Sequence, residues 1–185
     1  MESLKSDRLR LRQWTLNDVD FVLDMYSRWE VQRFIGRRPR IMRDRGEAVA
    51  TITRWRSLNE PGHGIWAVEH SETGHQLGTM LLKSIPASNT EDPMLPSGDT
   101  EIGWHFHPDA WGHGYAQEAA TEVLRHAFTV GLQAVVAVTH SENTASQAVC
   151  KRIGMEHLGQ TDRYYNTMCE LFSASSEYHQ TQPIA

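Results

Sequence analysis

One segment constrains this chain more than any other: Trp111-Gly112-His113-Gly114-Tyr115-Ala116, which runs into Gln117-Glu118-Ala119-Ala120. Upstream, Thr100 to His107 has strand character, and Pro108 ends it. Downstream, Ala116, Ala119, Ala120, Val123, Leu124 and Ala127 fall at offsets of 0, 3, 4, 7, 8 and 11, the stripe of an amphipathic helix. A glycine-rich corner that feeds a helix N-terminus leaves backbone N–H groups unpaired at the positive end of the helix dipole, which is where phosphate binds. Alone, the corner also has a plain reading: a tight strand-to-helix turn that takes glycine for backbone freedom. It is neither a dinucleotide fingerprint nor a Walker loop, because G-x-G-x-x-G and G-K-[ST] are both absent.

The bulk numbers narrow the class. The 185 residues suit one domain, and 39% hydrophobic with 22% charged residues is a globular composition. No apolar run is long enough for a membrane helix, the opening residues lack a signal peptide's apolar core, and the two cysteines form no disulfide framework; cytoplasmic residence and no membrane partner are the expectation. The net charge of -5 argues against nucleic acid as a partner. Residues 1–60 hold 13 Lys+Arg against 9 Asp+Glu, and the remainder 5 against 14. The acidic part favours a cationic or amine substrate; the basic run from Arg37 to Arg45 reads either as an anion contact or as a solvated loop and helix start.

Along the chain, Asp7 to Trp14 alternates as a half-exposed strand, with Leu9 and Leu11 inward. Thr15 or Asn17 caps a helix carrying Val19, Val22, Leu23 and Tyr26, and a second helix spans about Asp44 to Leu58 with Val49, Ile52 and Trp55 as its stripe. Ile65 to Glu69 and Gln76 to Lys83 form a hairpin around Thr73-Gly74. Residues 84–99, with three prolines, read as an exposed loop. Ala134 to Thr139 is a buried strand, Thr144 to Arg152 a helix stopped by Gly154, Met168 to Ser173 a last strand, and 174–185 a polar, loose tail. The expectation is a single mixed α/β domain over 1–173 built on a central sheet.

A second corner sharpens the first. After the valine strand comes Asn143-Thr144-Ala145-Ser146, then Cys150 to Met155, so two strand-to-helix units present polar groups at the same sheet end, where α/β ligands sit. Together these motifs resemble the GNAT superfamily of acetyl-CoA-dependent N-acetyltransferases, and within it the ribosomal-protein N-terminal (alanine/serine) acetyltransferase branch. The resemblance covers nearly the whole chain: Arg8-Leu9-Arg10-Leu11-Arg12, Phe34-Ile35-Gly36, Glu101-Ile102-Gly103-Trp104, His107-Pro108, the glycine corner and Asn143-x-x-Ser146. The superfamily's pyrophosphate pattern [QR]-x-x-G-x-[GA] is met by Gly114 and Ala116, with Trp111 in its first position, a substitution common in that branch.

The resemblance implies an α+β fold with a mixed, mostly antiparallel sheet of about six to seven strands flanked by about four helices, splayed between the fourth and fifth strands. It implies that Trp111, Gly112, His113, Gly114, Tyr115, Ala116 and Gln117 wrap the coenzyme A pyrophosphate. The pantetheine arm would lie against the backbone of Trp104 and Phe106 with an N–H near Phe106 as oxyanion donor, and Asn143 and Ser146 would complete the cofactor site. Acetyl transfer needs a neutral amine, a stabilised oxyanion and a proton for the leaving thiolate. Glu101 is the candidate base, or simply a strand-edge glutamate. Ser146 is the candidate acid, or a helix cap; Cys150 occupies the position where many relatives carry a tyrosine acid. Trp29, Phe34 and His105 are candidate acceptor contacts. His105, His107 and His113 lack the ligands to complete a metal site, so no metal is expected. The expected function is transfer of acetyl from acetyl-CoA to a primary amine by direct attack in a ternary complex. The acceptor is a protein N-terminus, or alternatively a polyamine, aminoglycoside or amino acid; a non-catalytic acyl-CoA-binding module is the reading from another class. The chain is expected as monomer or homodimer.

Overall fold

The computed structural model describes residues 2–91 and 93–177. One sheet carries eight strands: β1 (Leu4–Lys5), β2 (Leu9–Gln13), β3 (Gly64–His70), β4 (Gln76–Pro86), β5 (Pro96–Phe106), β6 (Ala134–Thr139), β7 (Glu156–Thr161) and β8 (Cys169–Ser175), in the order β1-β2-β3-β4-β5-β6-β8-β7. The helices are α1 (Val19–Ser27), α2 (Trp29–Gln32), α3 (Arg45–Arg56), α4 (Tyr115–Thr129) and α5 (Thr144–Arg152). Strand alternation divides them between two faces. Trp66, Met80 and Leu82 turn toward α4 and α5 with Ala119, Ala120, Val123 and Cys150, while Ile65, Ala67 and Leu81 turn toward α1 and α3 with Val22, Tyr26 and Ile52.

Neighbouring strands are antiparallel except β5 and β6, which α4 joins as a parallel crossover. Their register has a single pair, Glu101 with Val136. β5 runs on to Phe106 and β6 to Thr139 with no further pairing, so the strands part into a wedge that widens toward the glycine corner. The splay expected between the fourth and fifth strands is present but falls between β5 and β6, because the two-residue β1 adds a strand ahead of the first one expected.

Several boundaries differ from the sequence expectation. The 84–99 segment is mostly sheet: β4 continues through Pro86 and β5 begins at Pro96, leaving 87–95 as the connection, and Ile85 is fully buried. Pro86 faces Pro96 beyond a register shift, where the ladder no longer needs their missing N–H groups. Residues 174 and 175 close β8, with Ala174 buried, rather than starting a tail; residues 178–185 of the expected tail lie outside the described residues. On α3 the inward stripe is Ala48, Ile52 and Trp55, whereas Val49 faces solvent. β1, α2 and β7 are further elements. β7 is a polar edge strand with a register shift between His157 and Gly159, so it lacks the apolar alternation that announces a strand. The capping box before α1 forms as expected, with the Asp18 carboxylate accepting from the Thr15 N–H at 2.7 Å.

Candidate active site

The glycine corner follows a short turn at Pro108–Ala110. Gly112 and Gly114 both have φ of +79°, a left-handed conformation that side chains resist. A Cβ on Gly112 would meet nothing within 4 Å, so that glycine is needed for the turn and its outer side stands open. Gly114 is the N-cap of α4 and no side chain caps this helix. The first helical bond runs from the Glu118 N–H to the Gly114 carbonyl at 3.1 Å, which leaves the N–H groups of Tyr115, Ala116 and Gln117 without helical acceptors. The corner is held from behind. The Trp111 indole N–H donates to the Phe106 carbonyl at 2.9 Å, and Arg8 donates to the His113 carbonyl at 3.2 Å. Glu118 accepts from Ser6, the Arg8 N–H and the Arg8 guanidinium, and these contacts hold its carboxyl below the usual carboxylate range although burial opposes them. The rings of His113 and Tyr115 stack at 5.5 Å.

The second corner, from β6 into α5, is closed. The Asn143 side chain accepts from the Ser146 N–H at 3.2 Å and is the cap of α5. The cap role offered for Ser146 therefore belongs to Asn143. The half-buried Ser146 hydroxyl has no protein partner among the described residues. One turn on, Cys150 is fully buried, and burial pushes its thiol up to about 12. Near this corner Thr139, the last residue of β6, holds a buried Oγ1 with no hydrogen-bond partner.

Backbone polarity on the wedge wall follows from register. The His107 N–H donates across to the Leu77 carbonyl of β4 at 2.9 Å. By alternation the amides of Trp104 and Phe106 point the other way, into the gap beside β6. Their side chains pack toward α4, so the backbone faces the gap while the rings serve the core.

Glu101 sits where the wedge begins, on the α1–α3 face, and is 8% exposed. It is not a bare strand-edge carboxylate. Lys83, its register partner on β4, places Nζ 3.1 Å from Glu101 Oε2, and the Tyr165 hydroxyl donates to the same oxygen. Lys83 Nζ also donates to the Tyr165 oxygen at 2.7 Å. Burial and then the Glu101 charge keep the Tyr165 phenol protonated far above its usual range, so it acts as a donor here. Four residues further along β5, on the same face, His105 bonds the Tyr26 hydroxyl through Nδ1 at 2.9 Å. Burial, helped by Lys83, lowers His105 to about 4, so its imidazole is neutral at ordinary pH.

The other candidates are dispersed. Trp29 is largely exposed on α2. Phe34 stacks on His140 at 5.3 Å, linking the segment after α2 to the β6–α5 connection. His107 is structural: it bonds Asp24 at 3.1 Å and accepts from the Asp109 N–H at 3.2 Å. No group of metal-ligating side chains occurs among the described residues. Lys83, Tyr165 and Thr139 were not among the sequence candidates. Lys83 follows from Glu101 once the β4–β5 register is known, whereas Tyr165 lies in the loop after the unrecognised β7 and carried no signal.

Comparison with known proteins bears on this geometry. A family model described as an acetyltransferase (GNAT) domain matches residues 8–156. The chain is 28% identical over 163 residues to the uncharacterized N-acetyltransferase YoaA of Bacillus subtilis, covering 87% of this chain and 86% of that one. It is 38% identical over 109 residues to FsC-acetyl coenzyme A-N(2)-transacetylase of Aspergillus fumigatus, covering 58% of this chain and 45% of that one. Among solved structures, Mycobacterium smegmatis RimJ, in complex with CoA-disulfide, superposes with a TM-score of 0.76 at 18% identity, over 96% of this chain and 88% of that one.

Proposed function

The chain belongs to the GNAT acetyltransferase family and is an acetyl-CoA-dependent N-acetyltransferase, and on that premise we propose that it acetylates a primary amine by direct attack in a ternary complex, with the chain through the end of β8 at Ser175 as one catalytic unit. The observation that carries this reading is the β5–β6 wedge, with an uncapped glycine corner at its mouth and a buried carboxylate at its apex.

In this reading the N–H groups from Gly112 to Gln117, including the helical amides left without acceptors, bind the coenzyme A pyrophosphate. Trp111 braces that loop against the end of β5. The pantetheine arm pairs with the gap-facing amides of Trp104 and Phe106, as a strand adds to an open edge. Asn143 orders the second corner, where the Ser146 hydroxyl reaches the thioester sulfur. Glu101 is the base, taking the amine proton through a water, since an alkylamine of pKa near ~10 would otherwise stay charged. Lys83 and Tyr165 both contact Oε2 and so leave Oε1 available for that water. The neutral amine forms the new C–N bond, a backbone N–H near Phe106 carries the oxyanion, and the C–S bond breaks as the Ser146 hydroxyl donates a hydrogen bond to the leaving sulfur and relays a proton from solvent to the thiolate, so that Ser146 ends as the neutral hydroxyl.

A protein N-terminal amine is the acceptor implied by the branch resemblance. The similarity to an N(2)-transacetylase supports a small-molecule amine as the second reading. Free thiol release from acetyl-CoA with a panel of peptide and small amines, followed by mass spectrometry of the product, tests the proposal. Calorimetry with acetyl-CoA and with ATP tests the cofactor separately: acetyl-CoA binding without turnover of any amine would favour a binding module, and ATP binding alone would remove the site.

A further inference from the structure

We propose that the acceptor carries a carboxylate near its amine, and that Arg54 at the C-terminal end of α3 recognises it. The inference rests on the acetyl-transfer reading of the same site and concerns a cleft that reading does not use. On the α1–α3 face, a cleft of about 550 Å³ is bounded by Arg54, Trp55, Leu58, Glu60, Ile65 and Lys83. Lys83 joins this cleft to the candidate base, because its Nζ lies 3.1 Å from Glu101 Oε2. The cleft approaches Glu101 from β3 and β4, whereas the wedge approaches it from the glycine corner. The cleft thus ends at Lys83, one ion pair away from the candidate base.

The lining dictates the chemistry of the occupant. Two cations, Arg54 and Lys83, face one carboxylate, Glu60. Glu60 is already occupied: it accepts from the Ser84 hydroxyl at 2.8 Å and lies 3.7 Å from the His63 ring. Lys83 is occupied by Glu101 and Tyr165. Arg54 makes no ion pair among the described residues and is exposed, so a guanidinium fork remains for an incoming anion. Carboxylate and phosphate both match that fork, and with Arg54 as the one cation left unpaired in this cleft among the described residues, the singly charged carboxylate is the anion it balances. Trp55, Leu58 and Ile65 supply apolar wall between Arg54 and Lys83 for the body of the acceptor. A polycation such as a polyamine or aminoglycoside meets net repulsion here. Lys83 also disfavours a second charged ammonium beside Glu101, which selects the neutral, nucleophilic amine.

This carboxylate has two sources, a free amino acid or an acidic residue next to a peptide N-terminus, and matched pairs distinguish them. With saturating acetyl-CoA, wild type and Arg54→Glu are compared on phenylalanine against phenethylamine, on C-amidated peptides beginning Ser-Asp against Ser-Asn, and on spermidine. We expect at least one carboxylate-bearing member to exceed its neutral twin in kcat/KM by about tenfold or more. The pair that shows the gap identifies the source. Arg54→Glu should erase it by raising KM, with kcat held within about twofold and acetyl-CoA affinity unchanged. Equal turnover within both pairs, spermidine as the best acceptor, or an Arg54→Glu enzyme with unaltered KM each overturns the proposal. Calorimetry with N-acetylphenylalanine and with the N-acetylated Ser-Asp peptide supplies a readout apart from turnover: one of them should bind wild type and lose affinity in Arg54→Glu at unchanged melting temperature. If acetyl-CoA binds but no amine is acetylated, the acetyl-transfer reading fails, and this binding measurement alone decides whether the cleft takes a carboxylate.

Discussion

The two strand-to-helix corners that flank the wedge solve the same problem in opposite ways. The β6–α5 corner satisfies most of its own helix start: Asn143 accepts from the Ser146 N–H, and the Thr144 N–H donates to the Glu142 carbonyl. The β5–α4 corner leaves its helix end unsatisfied: Gly114 has no side chain to offer and three successive N–H groups lack helical acceptors. The protein spends its bracing on the outside of that corner, through Arg8, Glu118 and Trp111, and none on its inside. A helix end left open while its surroundings are tied down is arranged for a ligand. A capped helix end is arranged for stability, and here it presents a free hydroxyl one turn in.

The largest break in this comparison is Gly114→Glu. A Cβ at Gly114 would lie 3.6 Å from the Arg8 guanidinium, so the added carboxylate both competes with Glu118 for Arg8, loosening the brace of the corner, and puts a negative charge beside the pyrophosphate; like charges in proximity cost several kcal/mol, so acetyl-CoA affinity should fall by about 100-fold or more. The left-handed φ adds roughly 1 kcal/mol of strain for any side chain, so Gly114→Ala is the control: a small loss of melting temperature with measurable acetyl-CoA binding. Unchanged acetyl-CoA affinity in Gly114→Glu, measured by calorimetry, would remove the corner from the site.

Next in size is the residue at the wedge apex. Glu101→Gln keeps the shape and the Tyr165 contact but cannot accept a proton. We expect kcat to fall by about 100-fold with acetyl-CoA affinity retained. The remaining rate should climb with the free-amine fraction toward a pKa near ~10. A pH–rate profile of unaltered height and shape would mean that Glu101 only anchors Lys83 and Tyr165.

Both corners were legible in the sequence because each is local. Glycine at fixed spacing before an apolar stripe, and Asn-x-x-Ser before another, are short-range codes for helix starts. So were the strands buried on both faces, whose valine and leucine patterns leave little choice. What was not legible depends on register and on edges. Glu101 could be placed on its strand but not against Lys83, because that pairing is set by a hairpin whose ends run through prolines at 86 and 96. Tyr165 was invisible because β7 is polar and exposed, and the loop after it acquires meaning only when packed over β5. The role of Ser146 divided the same way: sequence spacing allowed it as cap or acid, and only geometry shows that Asn143 already fills the cap.

That division gives a smaller, sharper test at the closed corner. Asn143→Ala should cost about 1 kcal/mol of stability, read as a lower melting temperature, because it removes the cap. Ser146→Ala should leave the melting temperature unchanged and lower kcat by about tenfold, a modest effect because a thiolate leaves with little help. If Ser146→Ala instead lowers stability and spares kcat, the proton to the thiolate comes from elsewhere.

The smallest expected effect on rate belongs to Cys150, one turn beyond. The family resemblance would place a tyrosine acid at its position, yet Cys150 is fully buried with its thiol raised to about 12. Direct attack needs no acyl-enzyme, so Cys150→Ala should change kcat by less than about twofold while costing about 1 kcal/mol of packing. In the native protein Cys150 should resist iodoacetamide at pH 8 and react once the chain is denatured. The sign of its pH linkage follows from the raised value. An unfolded thiol ionises near 9 while the buried one stays protonated, so the unfolded state loses its proton first and stability falls as pH rises from 9 toward 12. Cys150→Ala should lack that alkaline decline. Rapid labelling of native Cys150, or a large loss of kcat in Cys150→Ala, would make the closed corner a reactive one and collapse the contrast between the two.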